Sequence, residues 1–431
     1  MTTRHLRATD YQRTPIKLLN GLLRACNVVG VARFDMEIGR LMEQASRETG
    51  LNNFGDERFL EPLQVLLKAY REEADMNPIG RALARSNVLR LLKGRLYAEQ
   101  VITQNPQVLH QSLGDPVVIV GLGRSGTTRL HRLLAADERF LHLKSWESVY
   151  PAPYPECFDA RAEGTTDPRI TTLEQALKAV LYMSPQIAAV HPLGTFEVEE
   201  EIGLLQHAFA TQLFEILSPI PSFAEYLMTT DQTPAYEYLA RLLKVVSWFR
   251  DDPPGKTWLL KSPQHMQDLD ALLKVFPGAR ILCPHRDPVK VVGSLCSMAW
   301  NSMVRDNDNV TPQWVGQEWL SKTQRMVAKT RAVRSAMPAE QQYDLLYAGI
   351  SADWESAMQG VYDYLGMPFT AQARNGMQAW LEENRQHKHG AHKYALADFG
   401  LDEAQVEAAL ADYRSHYSIP HETSNPHLRN A

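Results

Sequence analysis

The chain has 431 residues, 44% apolar and 22% charged, with 45 basic against 50 acidic side chains for a net charge of −5. At roughly 150 residues per domain this is two or three domains, or one large α/β domain with additions, long enough to bury a full core without staples. The balance excludes fibrous, disordered and general nucleic-acid-binding classes, no window reaches the ~18 apolar residues of a membrane span, and the four cysteines (Cys26, Cys157, Cys283, Cys296) form no C-x-x-C pair and read as reduced thiols.

Residues 1–15 are polar and basic with no apolar stretch, which predicts a loose arm, no secretory leader and a cytoplasmic protein. From Ile16 to Gln104 the pattern is helical. Leu18, Leu19, Leu22, Leu23 and Cys26 recur at helical spacing, as do Leu60, Leu63, Leu66, Leu67 and Tyr70, and glycines and asparagines punctuate between them. Such stripes suit a membrane-surface or dimer face, but packing onto the rest of the fold is the commoner use. Residues 1–112 are therefore expected to form a helical layer on the core.

The pattern changes at Asp115-Pro116, and 113–420 reads as an α/β domain. Val117–Val120 is a short β-branched run of the kind buried on both faces of a parallel sheet. A glycine-rich turn and a helix with Leu130, Leu133 and Leu134 follow. About 165–250 reads as a helical insertion. A second unit runs from strand Trp258–Leu260 through a helix (Met266 to Phe276), the Pro277-Gly278 stop and strand Arg280–Cys283 to a helix after Pro288. Strands alternating with helices predict a mostly parallel sheet flanked by helices. Further helices are expected over Trp354–Tyr364 and Glu403–Tyr413, and residues 421–431 read as a tail.

The chemical signal is Gly121-Leu-Gly-Arg124-Ser125-Gly126-Thr127-Thr128, between the first strand and its helix. Glycines let backbone N–H groups turn inward, and the positive end of the helix faces an anion. Thr127 and Thr128 add hydroxyl donors, and Arg124 adds a charged fork for phosphate oxygens. The spacing is nearly that of a P-loop, but Thr127 replaces the lysine that reaches the β- and γ-phosphates. The loop thus suits a single 5′-phosphate group better than a triphosphate, which weakens a kinase or NTPase reading.

The segment from Val117 to Phe140 resembles the 5′-phosphosulfate loop of the sulfotransferases that use 3′-phosphoadenosine-5′-phosphosulfate (PAPS). The segment Leu259–Met298 resembles their 3′-phosphate region, where an Arg ending a strand and a Ser eight residues later bind that phosphate; here these are Arg286 and Ser294. The likeness is greatest to the large bacterial group related to tyrosylprotein sulfotransferases. It implies a P-loop-like fold, transfer of a sulfuryl group from PAPS to an acceptor hydroxyl or amine, and no metal. It further implies that Arg124, Ser125, Gly126, Thr127 and Thr128 hold the 5′ end, and that Tyr347 stands near the 3′-phosphate. Lys261, twenty-five residues before Arg286, stands where the family's catalytic lysine does, with Arg124 sharing the leaving-group role.

Two residues compete as general base. Glu147 lies twenty-three residues after Arg124, close to the separation of the tyrosylprotein type's base. His265 lies four residues after Lys261 and is naturally poised for proton transfer; with Glu147 as base, His265 would bind the acceptor. The acidic run Glu197–Glu201 could line an acceptor site for a cationic substrate, but a solvated helix start is the commoner use. The cluster His387–Tyr394 matches no zinc spacing and suits a basic lid as well as a plain surface loop. Aromatic residues between 150 and 250 (Tyr150, Tyr154, Phe158, Phe196, Phe209, Phe214, Phe223, Tyr226) serve either as core or as an apolar pocket for a small or lipid-like acceptor. A non-catalytic nucleotide-binding scaffold is disfavoured, because Arg124, Lys261, Arg286 and Ser294 are all in place.

Overall fold

The fold is that of a computed structural model, which describes residues 7–28, 35–187, 194–253, 255–384 and 394–422. Its strands are β1 (Val117–Ile119), β2 (Phe140–Leu141), β3 (Leu143–Lys144), β4 (Val198–Glu199), β5 (Thr257–Lys261), β6 (Arg280–His285) and β7 (Gln342–Leu346). Every side chain of β1 is buried, and β1 is the middle strand of a five-stranded parallel sheet ordered β2-β5-β1-β6-β7. Registers Ile119↔Lys261 and Ile119↔Leu282 bring the carboxyl ends of the three central strands to one edge. That edge is where parallel α/β sheets bind ligands.

Both faces of the sheet are covered by helices. Leu130, Leu133 and Leu134 of helix Thr127–Ala135 pack with Val117, Ile119, Leu259 and Leu282 on one face. On the other, Val118, Leu260 and Ile281 join one apolar cluster with Leu41, Leu63 and Leu91 of helices Ile38–Thr49, Leu60–Glu72 and Pro78–Gln104. This is the helix-covered parallel sheet the alternating pattern predicts.

Four local features differ from the sequence reading. The first leucine stripe is not buried: in helix Thr14–Val28, Leu18 and Leu22 are 70% and 62% exposed. Ile16 and Asn20 face inward instead, and Asn20 Oδ1 accepts the N–H of Ile79 at 3.0 Å. The arm is anchored at its end, where Gln12 donates to Val304 O (3.0 Å) and Asp308 Oδ1 (2.8 Å). The insertion carries helices Pro168–Met183, Pro221–Thr229 and Thr233–Arg250, but it also carries β4, paired antiparallel to β3. Finally, the start of the tail is docked, as its ion pair below makes plain. Among the described residues no helix is long and apolar enough to cross a membrane.

Candidate active site

The loop after β1 feeds helix Thr127–Ala135, whose first i→i−4 bond runs from Leu130 N–H to Gly126 O at 3.0 Å. Helix geometry therefore leaves the N–H groups of Thr127, Thr128 and Arg129 without an intrahelical acceptor, aimed along the positive end of the helix. Gly126 has φ +92°, and a Cβ there would meet the Tyr347 ring at 2.5 Å, so only glycine suits both the turn and the packing. Arg124 also takes a left-handed φ, 72°, a strained state for a non-glycine residue. Ser125 spends its hydroxyl on the loop itself, donating to Leu122 O at 2.7 Å.

The second half of the site grows from β6. Arg286 follows its last residue, and Ser294 lies on helix Pro288–Met303. Arg124 Nε donates to Ser294 Oγ at 2.9 Å, and Arg286 Nη1 donates to Arg124 O at 3.1 Å. The Arg286 guanidinium stands 4.3 Å from the centre of the Tyr347 ring. Four residues that the sequence offers as phosphate binders thus form one cluster from three separate segments. Its arginine already holds an anion: Arg286 Nε and Nη2 donate to the two carboxylate oxygens of Glu422 at 2.5 and 3.0 Å. The Glu422 N–H is fixed in turn by Asp287 Oδ2 at 2.8 Å. Nothing local in the sequence signals this contact.

Lys261 ends β5, 2% exposed, with Nζ donating to Thr128 Oγ1 at 3.3 Å and ion-paired to Glu200. Glu200 and Glu201 of the acidic run are therefore partners of Lys261 rather than a solvated face. Glu201 turns inward: it accepts the Lys261 N–H at 2.9 Å and pairs with His265 Nε2. His265 is fully buried and its Nδ1 meets the Tyr236 hydroxyl at 2.7 Å, so both ring nitrogens are engaged. His131, 1% exposed on the loop's own helix, is held well below the usual histidine pKa by burial and by Lys261.

Glu147 is also engaged elsewhere. It is 2% exposed, its Oε1 accepts Arg250 Nε at 2.6 Å, and its Oε2 takes the Lys144 N–H at 2.8 Å and a second Arg250 bond. None of these contacts reaches the phosphate loop or Lys261. The spacing from Arg124 puts Glu147 in the first turn of helix Ser145–Val149, where a carboxylate returns to the preceding backbone N–H.

Of the aromatic residues considered for an acceptor pocket, Phe209, Phe214 and Phe223 are fully buried core. Phe196, four residues before Glu200, is 58% exposed. A cavity of about 890 Å³ lined by Arg58, Phe59, Arg95 and Tyr238 includes none of the loop, Lys261 or Arg286. His387–Lys393 lie outside the described residues. Among the described residues no cluster of His, Cys, Asp and Glu has a metal-holding arrangement.

The sequence profile of the sulfotransferase family matches residues 116–371. The chain is 26% identical over 289 residues to the omega-hydroxy-beta-dihydromenaquinone-9 sulfotransferase Stf3 of Mycobacterium bovis, covering 64% of this chain and 67% of that one. The crystal structure of sulfotransferase STF1 from Mycobacterium tuberculosis superposes with a TM-score of 0.76 at 28% identity, over 88% of this chain and all of that one. Sulfotransferase STF9 from Mycobacterium avium gives 0.78 at 24% identity, over 90% and 98%.

Proposed function

Because the chain belongs to the sulfotransferase family, and so is an enzyme of sulfuryl transfer, we propose that its donor is PAPS and its acceptor a hydroxyl (or amine) on a small or lipid-like molecule. The observation that carries the donor assignment is the joining of two anion-binding half-sites. A strand–loop–helix N-terminus meets Ser294 through the Arg124–Ser294 bond and the strand-end Arg286 through its bond to Arg124 O, an arrangement that suits a nucleotide with phosphates at both 5′ and 3′ positions. The Glu422 carboxylate seated in the Arg286 fork supports the fit, since it shows that an oxyanion is accommodated there.

PAPS, when bound, supplies an activated sulfuryl group on a 5′-phosphate leaving group. In this reading Arg124 and the amides and hydroxyls of Ser125, Gly126, Thr127 and Thr128 hold the 5′ end. Arg286 and Ser294 hold the 3′-phosphate, with Tyr347 walling that pocket. Lys261 is aimed by Thr128 toward the loop and neutralises charge developing on the leaving oxygen. Glu201 and His265 fix the end of β5 from below, and so set the height of Lys261. The lipid-like acceptor rests on the menaquinone derivative in the name of the mycobacterial relative and on the exposed Phe196, four residues before Glu200 in the chain. The free cysteines Cys157, Cys283 and Cys296 suit a cytoplasmic setting.

The test is transfer of label from [³⁵S]PAPS to an ω-hydroxylated isoprenoid quinone in detergent micelles. Labelled, extractable product from the wild type, and its loss in Lys261→Ala with PAPS binding retained, is the expected result. Retention of turnover by Lys261→Ala would refute the assignment of roles.

A further inference from the structure

We propose that Glu200 is the general base that takes the proton from the acceptor hydroxyl, in a site where neither Glu147 nor His265 does so. The inference rests on the sulfuryl-transfer reading above and completes it.

The argument begins with which groups reach the reacting atoms. Around Lys261 the described residues offer Glu200, Glu201, His265 and His131 as proton acceptors. Glu201 and His265 bond to each other beneath the strand, at 1% and 0% exposure, with no open side for a substrate. His131 is sealed at 1% exposure. Glu200 alone of the four reaches the surface: its side chain is 15% exposed while it touches the ammonium of a lysine that is 2% exposed. It is thus a partly exposed carboxylate in contact with Lys261, a cation expected to act on the leaving oxygen.

Glu200 is also well placed by its backbone. Its carbonyl accepts Ser148 Oγ at 2.6 Å, and its N–H donates to Glu199 Oε1 at 2.9 Å. The preceding residues are bound to helix Ser145–Val149, with Ser145 N–H donating to Glu197 O at 3.0 Å and Trp146 N–H to Thr195 O at 3.2 Å. Gly203 lies so near Ser148 that a Cβ there would come within 2.3 Å of the Ser148 hydroxyl, which locks the segment on its other side. Glu147 caps that same short helix and ties it to Arg250. Glu147 therefore acts as a positioning residue for the platform that presents Glu200, and the contribution its sequence spacing suggests is made through another side chain.

The pairing with Lys261 also supplies a sequence of events. While Lys261 rests on Glu200, the carboxylate is a poor proton acceptor, because a neighbouring cation favours its charged form. When Lys261 also reaches the oxygen on which charge develops, its hold on Glu200 is shared and the carboxylate becomes a better acceptor. The acceptor oxygen forms a bond to sulfur, the bond from sulfur to the 5′-phosphate oxygen breaks with its electron pair passing to that oxygen, and the acceptor proton passes to Glu200. Base strength thus rises only when the donor is engaged.

The test compares full-length wild type, Glu200→Gln and Glu200→Asp with three readouts. Calorimetry with 3′-phosphoadenosine-5′-phosphate (PAP) is expected to give dissociation constants within about threefold of one another, whereas a wild type that binds no PAP refutes the sulfuryl-transfer reading and not the base alone. In a crystal of the PAP complex, the Glu200 carboxylate is expected beside Lys261 on the open side of the 5′-phosphate, with Glu147 still on Arg250. A Glu147 or His265 side chain at that place, with Glu200 turned away, overturns the proposal. Turnover with [³⁵S]PAPS and the ω-hydroxylated quinone is expected to fall at least a hundredfold in Glu200→Gln, with partial recovery in Glu200→Asp; a kcat within threefold of wild type in Glu200→Gln overturns it.

Discussion

Glu422 occupies the position where the account needs a 3′-phosphate, and replacing it with glutamine has a calculable effect. The carboxylate makes two bonds to Arg286, with side-chain exposures of 21% for the arginine and 10% for the glutamate. A ligand phosphate has to take the same fork, so the free energy of the pair opposes binding. A fully exposed pair contributes about 0–1 kcal/mol, and a hydrogen bond to a charged group about 1.5–3 kcal/mol. The partial exposure puts this pair between those limits, at about 1–2 kcal/mol. At 1.4 kcal/mol per factor of ten, Glu422→Gln should tighten PAP binding about five- to thirtyfold. AMP has no 3′-phosphate, so its affinity should be unchanged. Calorimetric titrations of both proteins with PAP and AMP in one buffer decide the matter, because ion-pair energies vary with salt. Equal PAP affinity in the two proteins, or an equal gain for AMP, would refute the reasoning.

Other consequences follow from the same geometry. Arg286→Ala should weaken PAP at least tenfold while sparing AMP, since charge-assisted bonds of about 1.5–3 kcal/mol are lost only at the 3′ end; calorimetry reads this directly. Glu147→Ala should cost about 1.5–3 kcal/mol of stability in urea unfolding, because Arg250 would keep only Asp252 at 3.8 Å and the His142 carbonyl, and Lys144 N–H would lose its cap. Stability should also fall on acidification. His207 has its pKa pushed down to about 3 by burial and by Arg90, and His131 is lowered as well. Their folded pKa values lie below the unfolded value of about 6.5, so the unfolded chain takes up protons first. Stability is complete above that pH and drops below it, by up to about 1.4 kcal/mol per pH unit for each group. Thermal melts from pH 7 to 4 should show the slope, and His207→Asn should flatten it; an unchanged slope in that variant would contradict the assignment.

The parts of the fold that were legible in the sequence are those encoded locally. Val117–Ile119, the Trp258–Leu260 run and Arg280–Cys283 announce themselves as buried strands, and the glycine loop announces a helix N-terminus between two of them. β2 is too short to carry a pattern, and β7, Gln342–Leu346, mixes polar and apolar residues because it lies at the sheet edge. The β3–β4 pair joins Leu143 to Glu199, a separation over which no local signal operates. The site divides in the same way. Arg124, Thr128, Lys261, Arg286, Ser294 and Tyr347 could be named as candidates because each sits at a strand end or in a motif. The acidic run was misjudged because its partners, Lys261 and His265, lie about sixty residues further along the chain. Glu147 was drawn toward the site by spacing, while Arg250, which holds it, is 103 residues away. Side chains whose roles depend on a distant partner have no signature until the sheet brings the segments together.

The central claim is that one cleft binds a nucleotide by its 5′ and 3′ phosphates at once. Its most direct test is calorimetric titration of the full-length protein with PAP, AMP and ATP, each with and without Mg²⁺. The account predicts selective PAP binding, at least tenfold tighter than AMP and independent of Mg²⁺. A preference for Mg-ATP, or equal affinity for PAP and AMP, would contradict it.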